Sequence, residues 1–418
     1  MKSPECGSSG LKPWEAFRKN IRGLPRAASW GGLVAGILVV VISSTGPLAI
    51  LFQAAKVGNF SAAQTSSWLL TIFVGSGIFG LFLSLRHGMP IVGAWASATT
   101  ALLVTALTSH SYAETIGAYF VVSLALILVG VTGIFQRLIS LVPHAVVMAM
   151  LSGILFRFGI DIFTAMRSDA LLGISMVLAF FIGRRFHWRA PVLLALAVGL
   201  LVAFEQSLLK NPHIKISLTH PIWSNPEWNA GSLLTLALPI FLMVMTTQNA
   251  PGIAVLRNSG FKPPVNQIVT FGGALSLLGA GFGSSGVNLS TITAAIATGE
   301  QSDPNPKNRY FAGVCAGISY LLLGLVGATV TGLFASLPAT LLAVLAGLAL
   351  LPVIGSATYE ALSDQGYREA GLVTLLITIS GVSAWNLGSP FWGLVGGVLV
   401  HHITSGKATS GKAIRTKN

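Results

Sequence analysis

The sequence predicts an all-α integral membrane protein of fourteen spans, built as two inverted repeats of seven. Three observations predict it. Mean hydropathy is +0.76, and 53% of the 418 residues are hydrophobic while 9% are charged; a soluble domain carries about 25% charged residues. Apolar runs succeed one another from residue 31 to residue 403, most of them close to the ~20 residues that a bilayer crossing needs. Landmarks also recur in the same order. Pro143 with Leu151-Ser152-Gly153 matches Pro338 with Leu345-Ala346-Gly347, Pro191 matches Pro390, and Pro47 matches Pro251, at offsets of 195, 199 and 204 residues. Seven is odd, so the second copy must be inverted, an architecture common in secondary transporters.

Residues 1–29 read as a cytoplasmic tail with Lys2, Lys12, Arg18, Lys19, Arg22 and Arg26. Trp14 and Trp30 suit an interface, and 11–27 reads as a surface helix. The tail lacks an apolar h-region, so no cleaved signal peptide is expected. The first repeat, 30–208, places spans at 31–55, 65–85, 89–108, 114–136, 138–158, 169–185 and 190–208. Residues 209–230, with Pro212, Pro221, Pro226, Trp223 and Trp228, read as a non-cytoplasmic interfacial loop. The second repeat, 231–403, places spans at 231–256, 266–280, 281–299, 309–335, 337–358, 369–386 and 389–403, followed by a cytoplasmic tail, 404–418. This count puts 20 of the 25 Lys and Arg residues on one side. The positive-inside rule makes that side cytoplasmic, with both termini. The net charge of +13 is then loop bias and not a nucleic-acid footprint. Cys6 and Cys315 form neither a disulfide framework nor a metal cluster.

Two spans read as discontinuous. In 279–299, Gly279, Gly281, Gly283 and Gly286 are too dense for stable helix, each costing roughly 1 kcal/mol relative to Ala. From Val287 to Thr298 the composition turns helical, with Ser285 as N-cap. Twelve helical residues rise only about 18 Å, short of a bilayer core of roughly 30 Å. The helix therefore begins near mid-membrane, where irregular backbone survives only when buried in protein or lining a wet cavity. Span three has the same form: His87 to Gly93 is poor helix around Pro90, and Ala94 to Leu107 is good helix. Inversion points both positive helix ends at one place, which favours an ionised carboxylate.

Span eight brings Gln248 and Asn249 beside Pro251, which frees carbonyls about one turn earlier. An amide pair inside an apolar run serves either a ligand or interhelical hydrogen bonds. Ser284, Ser285, Gly286 and Asn288 are candidate ligand donors, with small-residue packing as the alternative. Trp95 and Ser97 open the half-helix of span three, where Trp95 either stacks on an aromatic ligand or fills core. Thr45, before Pro47, is a further candidate. No Asp or Glu falls in the central stretches of spans one, three, eight or ten. Proton coupling then has no obvious carrier; His144, Glu205 and Glu360 at span ends are the candidates, with a plain interfacial role as the alternative for each. His-Glu-x-x-His, Walker A and strand–Gly-x-Ser-x-Gly–helix patterns do not occur, so no enzyme activity, metal or cofactor is expected.

Thr247-Gln248-Asn249-Ala250-Pro251-Gly252-Ile253-Ala254-Val255-Leu256 and Gly283-Ser284-Ser285-Gly286-Val287-Asn288-Leu289 through Thr293 to Gly299 resemble the two signature stretches of the benzoate–proton symporter (BenE-type) family. The likeness covers essentially the whole chain and extends distantly to uracil permeases and sulfate-type anion carriers. It implies seven-plus-seven inverted repeats, with spans one to four and eight to eleven as core and the remainder as gate. It also implies short extended segments before half-helices in spans three and ten, and dimers in many members. The acids by which uracil permeases hold a nucleobase are replaced by Gln248 and the Ser284-Ser285 region, which suits a carboxylate. The expectation is proton-coupled uptake of benzoate or a similar aromatic carboxylate across a bacterial inner membrane. The partners are then a small carboxylate, a proton and lipid, without nucleic acid. The alternatives are an exchanger or exporter of another small organic anion, or a passive anion channel on the same scaffold.

Overall fold

The computed structural model describes residues 13–408 apart from Gln136, 139–142, Arg189, 210–216, Ser285, Ser383, Trp385 and Asn386. The expected surface helix is α1, Pro13–Ala27. It is followed by α2 (Trp30–Val57), α3 (Ala62–His87), the two-residue strand β1 (Gly93–Ala94), α4 (Ser97–Ala106) and α5 (Tyr112–Thr132). Next come α6 (His144–Ala165), α7 (Ala170–Arg185) and α8 (Pro191–Glu205). After the long loop, α9 (Ala230–Asn258) contains two wider π-type turns, Leu233–Ala237 and Val244–Asn249. Helix α10 (Val265–Ala280), strand β2 (Asn288–Leu289) and the short α11 (Ile292–Thr298) complete the centre. The chain ends with α12 (Tyr310–Leu325), α13 (Gly327–Ala335), α14 (Ala339–Leu362), α15 (Arg368–Ser380) and α16 (Ser389–Ala408).

Local chemistry sets many of these limits. Capping boxes start α3 at Ser61 with Gln64 and α5 at Ser111 with Glu114. Gly88 at φ +62 and Gly133 at φ +69 end the same two helices in the left-handed conformation that favours glycine. Among the described residues, six helices (α2, α3, α5, α6, α9 and α14) are long and apolar enough to cross a membrane, or seven if the pair α12 and α13, bent by 65°, is one span. Fourteen spans were expected, and length alone does not supply them. Helices α4, α8 and α10 are apolar but only 10–17 residues long, and the third and tenth runs are divided between strand and half-helix.

Packing pairs α14 with α6, α12 with α3, α10 with α5, α15 with α16, and α7 with α8. Small residues permit the closest approach. A Cβ at Gly317 of α12 would lie 2.9 Å from the Gly77 carbonyl oxygen of α3, and one at Gly313 would overlap the Ser84 hydroxyl. The Gly313/Gly317 spacing is thus helix packing. The described part of the loop, 217–229, straps one end: Thr219 N–H donates to the Leu325 carbonyl (3.1 Å), Ser224 N–H to Gly281 (2.7 Å) and Glu227 N–H to Ala113 (2.9 Å).

Candidate functional site

The centre of the molecule is the crossing of two broken segments. Strands β1 and β2 pair antiparallel, Gly93 opposite Leu289 and Ala94 opposite Asn288, and Ser290 N–H donates to the Val92 carbonyl at 2.9 Å. Pairing satisfies only part of this buried backbone, and side chains from neighbouring helices satisfy more. Ser84 of α3 accepts from Ile91 N–H (3.1 Å) and donates to the Ile91 carbonyl (2.9 Å). Ser276 of α10 accepts from Val287 N–H (2.7 Å), and Asn249 Oδ1 accepts from Leu289 N–H (3.1 Å). Non-helical backbone in an apolar medium needs such partners, because each unpaired group costs several kcal/mol.

Pairing also moves both helix starts. Helices were expected from Ala94 and Val287, and they begin at Ser97 and Ile292 because 93–94 and 288–289 are spent in the ribbon. Helix α4 retains ten residues and α11 only seven. Ser285, the expected N-cap, lies outside the described residues. Thr291 takes the flanking position, but its hydroxyl does not cap α11. It donates instead to the carbonyls of Thr247 and Gln248, both at 3.2 Å. Pro251 lacks the N–H that would bond the Thr247 carbonyl four residues earlier, and Thr291 supplies the missing donor. At the far end of α11, the Arg309 guanidinium, 7% exposed, donates to the Thr298 carbonyl (2.7 Å) and the Asp303 carbonyl (2.8 Å). A cation there complements the helix dipole.

We expect Thr291→Val to leave the Thr247 carbonyl, which Pro251 cannot serve, without its hydroxyl donor and to lower stability by about 1–3 kcal/mol. Thr291→Ser should restore most of it. Thermal unfolding of the purified protein measures both.

Beside this crossing lies a cavity of about 700 Å³, within the roughly 300–1,000 Å³ usual for small-molecule sites. Gln248, Thr246 and Thr247 of α9 line it, with Trp95, Ser97 and Ala98 at the start of α4. Ser290, Thr291 and Thr293 face it from the start of α11, and Ser43 and Pro47 from α2. The opposite wall is mainly apolar: Met148, Leu151 and Leu155 of α6, Phe180 of α7, and Leu350 and Val353 of α14. Ala96 before α4 makes no side-chain capping bond, so the first-turn N–H groups of α4, at Ser97 and Ala98 on the cavity wall, have no intrahelical partner. Among the described residues no hydrogen bond engages the Gln248 side-chain amide, leaving two donors and an acceptor for a guest.

The other expected site residues divide. Asn249, 3% exposed, holds β2 and does not line the cavity. Ser284 and Gly286 also lie away from it: Ser284 Oγ accepts from Gly286 N–H at 3.4 Å, and the neighbouring Gly283 sits by Tyr112 and Trp68. Asn288, 1% exposed, shares the ribbon face of Ala94, which does line the cavity. Both of its amide atoms lack a partner among the described residues, and so does Trp95 Nε1. Unpaired buried amides are rare enough to need an explanation such as a ligand or ordered water. Trp95 packs edge-on against Phe73 at 5.1 Å and Tyr320 at 6.3 Å. Thr45 lies in α2, and its side chain is outside the described set.

Two titratable side chains line the cavity among the described residues. His144, at the start of α6, and Glu360, near the end of α14, meet at 2.8 Å, with side chains 58% and 46% exposed. Glu205 ends α8 on an exposed surface away from the cavity. The hydroxyls of Ser290, Thr291 and Thr293 were not singled out from the sequence. The carbonyl freed by Pro251 was the available signal for Thr291, since a donor had to come from elsewhere.

Comparison with known proteins agrees with this architecture. Residues 27–403 match the family model described as benzoate membrane transport protein. The chain is 37% identical over 365 residues to inner membrane protein YdcO of Escherichia coli K12, covering 87% of this chain and 93% of that protein. It is 37% identical over 375 residues to the benzoate membrane transport protein of Acinetobacter baylyi, covering 90% and 95%. Among solved structures, the transmembrane domain of a cyanobacterial bicarbonate transporter, BicA, matches with a TM-score of 0.58 at 16% identity, over 90% of this chain and 96% of that one. The last likeness is one of fold.

Proposed function

Because the chain belongs to the BenE family of benzoate membrane transport proteins, we propose that it is a secondary active transporter coupling protons to the uptake of benzoate or a similar aromatic carboxylate. It is an integral membrane protein of a transport family and not an enzyme. One observation carries the substrate reading. The cavity joins a positive helix end and the Gln248 amide to an apolar wall, and its only described ionisable groups are the hydrogen-bonded His144 and Glu360. A carboxylate suits the first pair of features, and an aromatic ring suits the wall. Because α11 has seven residues against ten in α4, we give α4 and Gln248 the larger share of the carboxylate, with Asn288 behind them.

The proposed cycle moves a core, formed by spans one to four and eight to eleven, against a gate formed by the others, in a fourteen-span inverted repeat. The antiparallel β1–β2 pairing supports inversion, because its partners come from matching places in the two halves. With both termini in the cytoplasm of a bacterial cell, the His144–Glu360 end of the cavity faces inward. We place the 30–208 and 231–403 repeats on either side of the 209–230 loop, and a homodimer remains part of this proposal.

We assign proton handling to His144 and Glu360, which the fold joins, and not to Glu205. Glu360→Gln should abolish accumulation driven by a pH gradient while retaining exchange of labelled for unlabelled substrate. Proteoliposome uptake of labelled benzoate, with nucleobases and other carboxylates as competitors, tests the whole proposal. Accumulation under an imposed gradient is expected. Conductance without accumulation would make the protein a channel.

A further inference from the structure

Helix α1 has a face that the protein core does not use. One side is docked: Ala16 and Ala27 are buried, Asn20 Nδ2 donates to the Leu85 carbonyl (2.8 Å), and Tyr310 Oη donates to the Asn20 carbonyl (2.9 Å). Phe17 packs on Phe82 at 5.8 Å. At 3.6 residues per turn, the rest of the surface divides into two adjoining strips. Trp14, Ile21 and Pro25 form an exposed apolar strip, with Trp14 60% and Ile21 42% exposed. Arg18, Lys19, Arg22 and Arg26 form an exposed cationic strip next to it, where Glu15 is the one acid. The Arg18 guanidinium lies 5.1 Å from the Trp14 ring. Three residues after α1 ends, Trp30 is 78% exposed.

Trp14 stacks on Phe17 at 5.6 Å, yet most of its surface stays exposed beside four cations. Such a strip pair fits a helix lying in the headgroup layer, its apolar edge at the acyl boundary and its cations among phosphates. We propose that α1 is a binding site for anionic phospholipid headgroups, with Arg18, Arg22 and Arg26 as the phosphate ligands and Trp14 and Ile21 as the wedge. Guanidinium groups offer paired N–H donors to phosphate oxygens, and cations near an anionic leaflet add attraction that falls with salt. Through Asn20 the bound lipid would brace α3 and α12, the helices on either side of the broken segments. The assignment needs a membrane but not any particular substrate.

The test uses the full chain in nanodiscs of phosphatidylcholine alone or mixed with phosphatidylglycerol. Phosphatidylglycerol should raise the thermal midpoint and slow hydrogen exchange of the α1 amides, and added salt should diminish both effects. The triple variant Arg18→Gln, Arg22→Gln, Arg26→Gln should bind phosphatidylglycerol roughly a hundredfold more weakly and lose the lipid-dependent shift. Arg157→Gln with Arg167→Gln should keep it. A wild type whose α1 exchange is indifferent to phosphatidylglycerol would overturn the proposal, as would a triple variant with an undiminished shift. If the triple variant does not fold, the wild-type exchange comparison alone decides.

Discussion

Replacing Gln248 by Glu should weaken benzoate binding by more than about a hundredfold while the protein still inserts and folds. Two effects add. A hydrogen bond to a charged group contributes about 1.5–3 kcal/mol, and the substitution removes the amide donor. It also sets a carboxylate against the substrate's own. Two like charges about 4 Å apart repel by about 4 kcal/mol at the effective dielectric of a partly wet site. Gln248→Ala loses only the first term and should cost about tenfold or somewhat more. Binding to the Glu variant should recover as the pH falls, because protonation of the new carboxyl restores a neutral donor. Equilibrium binding to the detergent-purified protein across pH measures all three. An unchanged affinity in the Glu variant would remove Gln248 from the site, since the side chain lines the cavity with no described partner to divert it.

Gly93→Val should abolish binding and lower the thermal midpoint together. A Cβ at Gly93 would overlap the Ser76 carbonyl oxygen and sit 2.9 Å from the Phe79 ring. The first obstacle is backbone, so no rotamer change relieves it. Strand β1 would have to leave α3, giving up its pairing with β2 and the two hydrogen bonds that Ser84 makes with Ile91. Overpacking of this kind costs about 1–3 kcal/mol and sometimes more, and here it falls on the segment that aims α4. Gly332→Ala provides the comparison, because nothing lies within 4 Å of a Cβ there. That variant should bind normally.

Much of the architecture was legible because it rests on strong local signals. The glycines of 279–286 and the Pro90 stretch forbid continuous helix, and the structure breaks both spans there, with Gly283 at φ +99 and Gly286 at φ +110. Gln248 stood out as an amide in an apolar run beside a helix breaker, and it lines the cavity. The family resemblance implied short extended segments before both half-helices, and β1 and β2 stand there, but their pairing was not legible, since it joins positions nearly two hundred residues apart and no periodic pattern fits in two residues. Missing that pairing displaced the expected helix starts and drew attention to Ser284 and Gly286, which do not line the cavity. Asn249 looks like Gln248 in sequence, but successive residues of a helix are rotated about its axis. That rotation turns it onto the Leu289 backbone and away from the cavity. The His144–Glu360 contact joins residues 216 apart and needed the packing of α14 on α6 to appear.

The most direct measurement is a structure of the protein bound to a brominated benzoate, with anomalous scattering locating the bromine. The ring is expected against Met148, Leu155 and Val353, and the carboxylate within hydrogen-bond distance of the Ser97 and Ala98 amides and of Gln248. A carboxylate bound at Ser284–Gly286, or a ring held outside the cavity between α4 and α14, would contradict this placement.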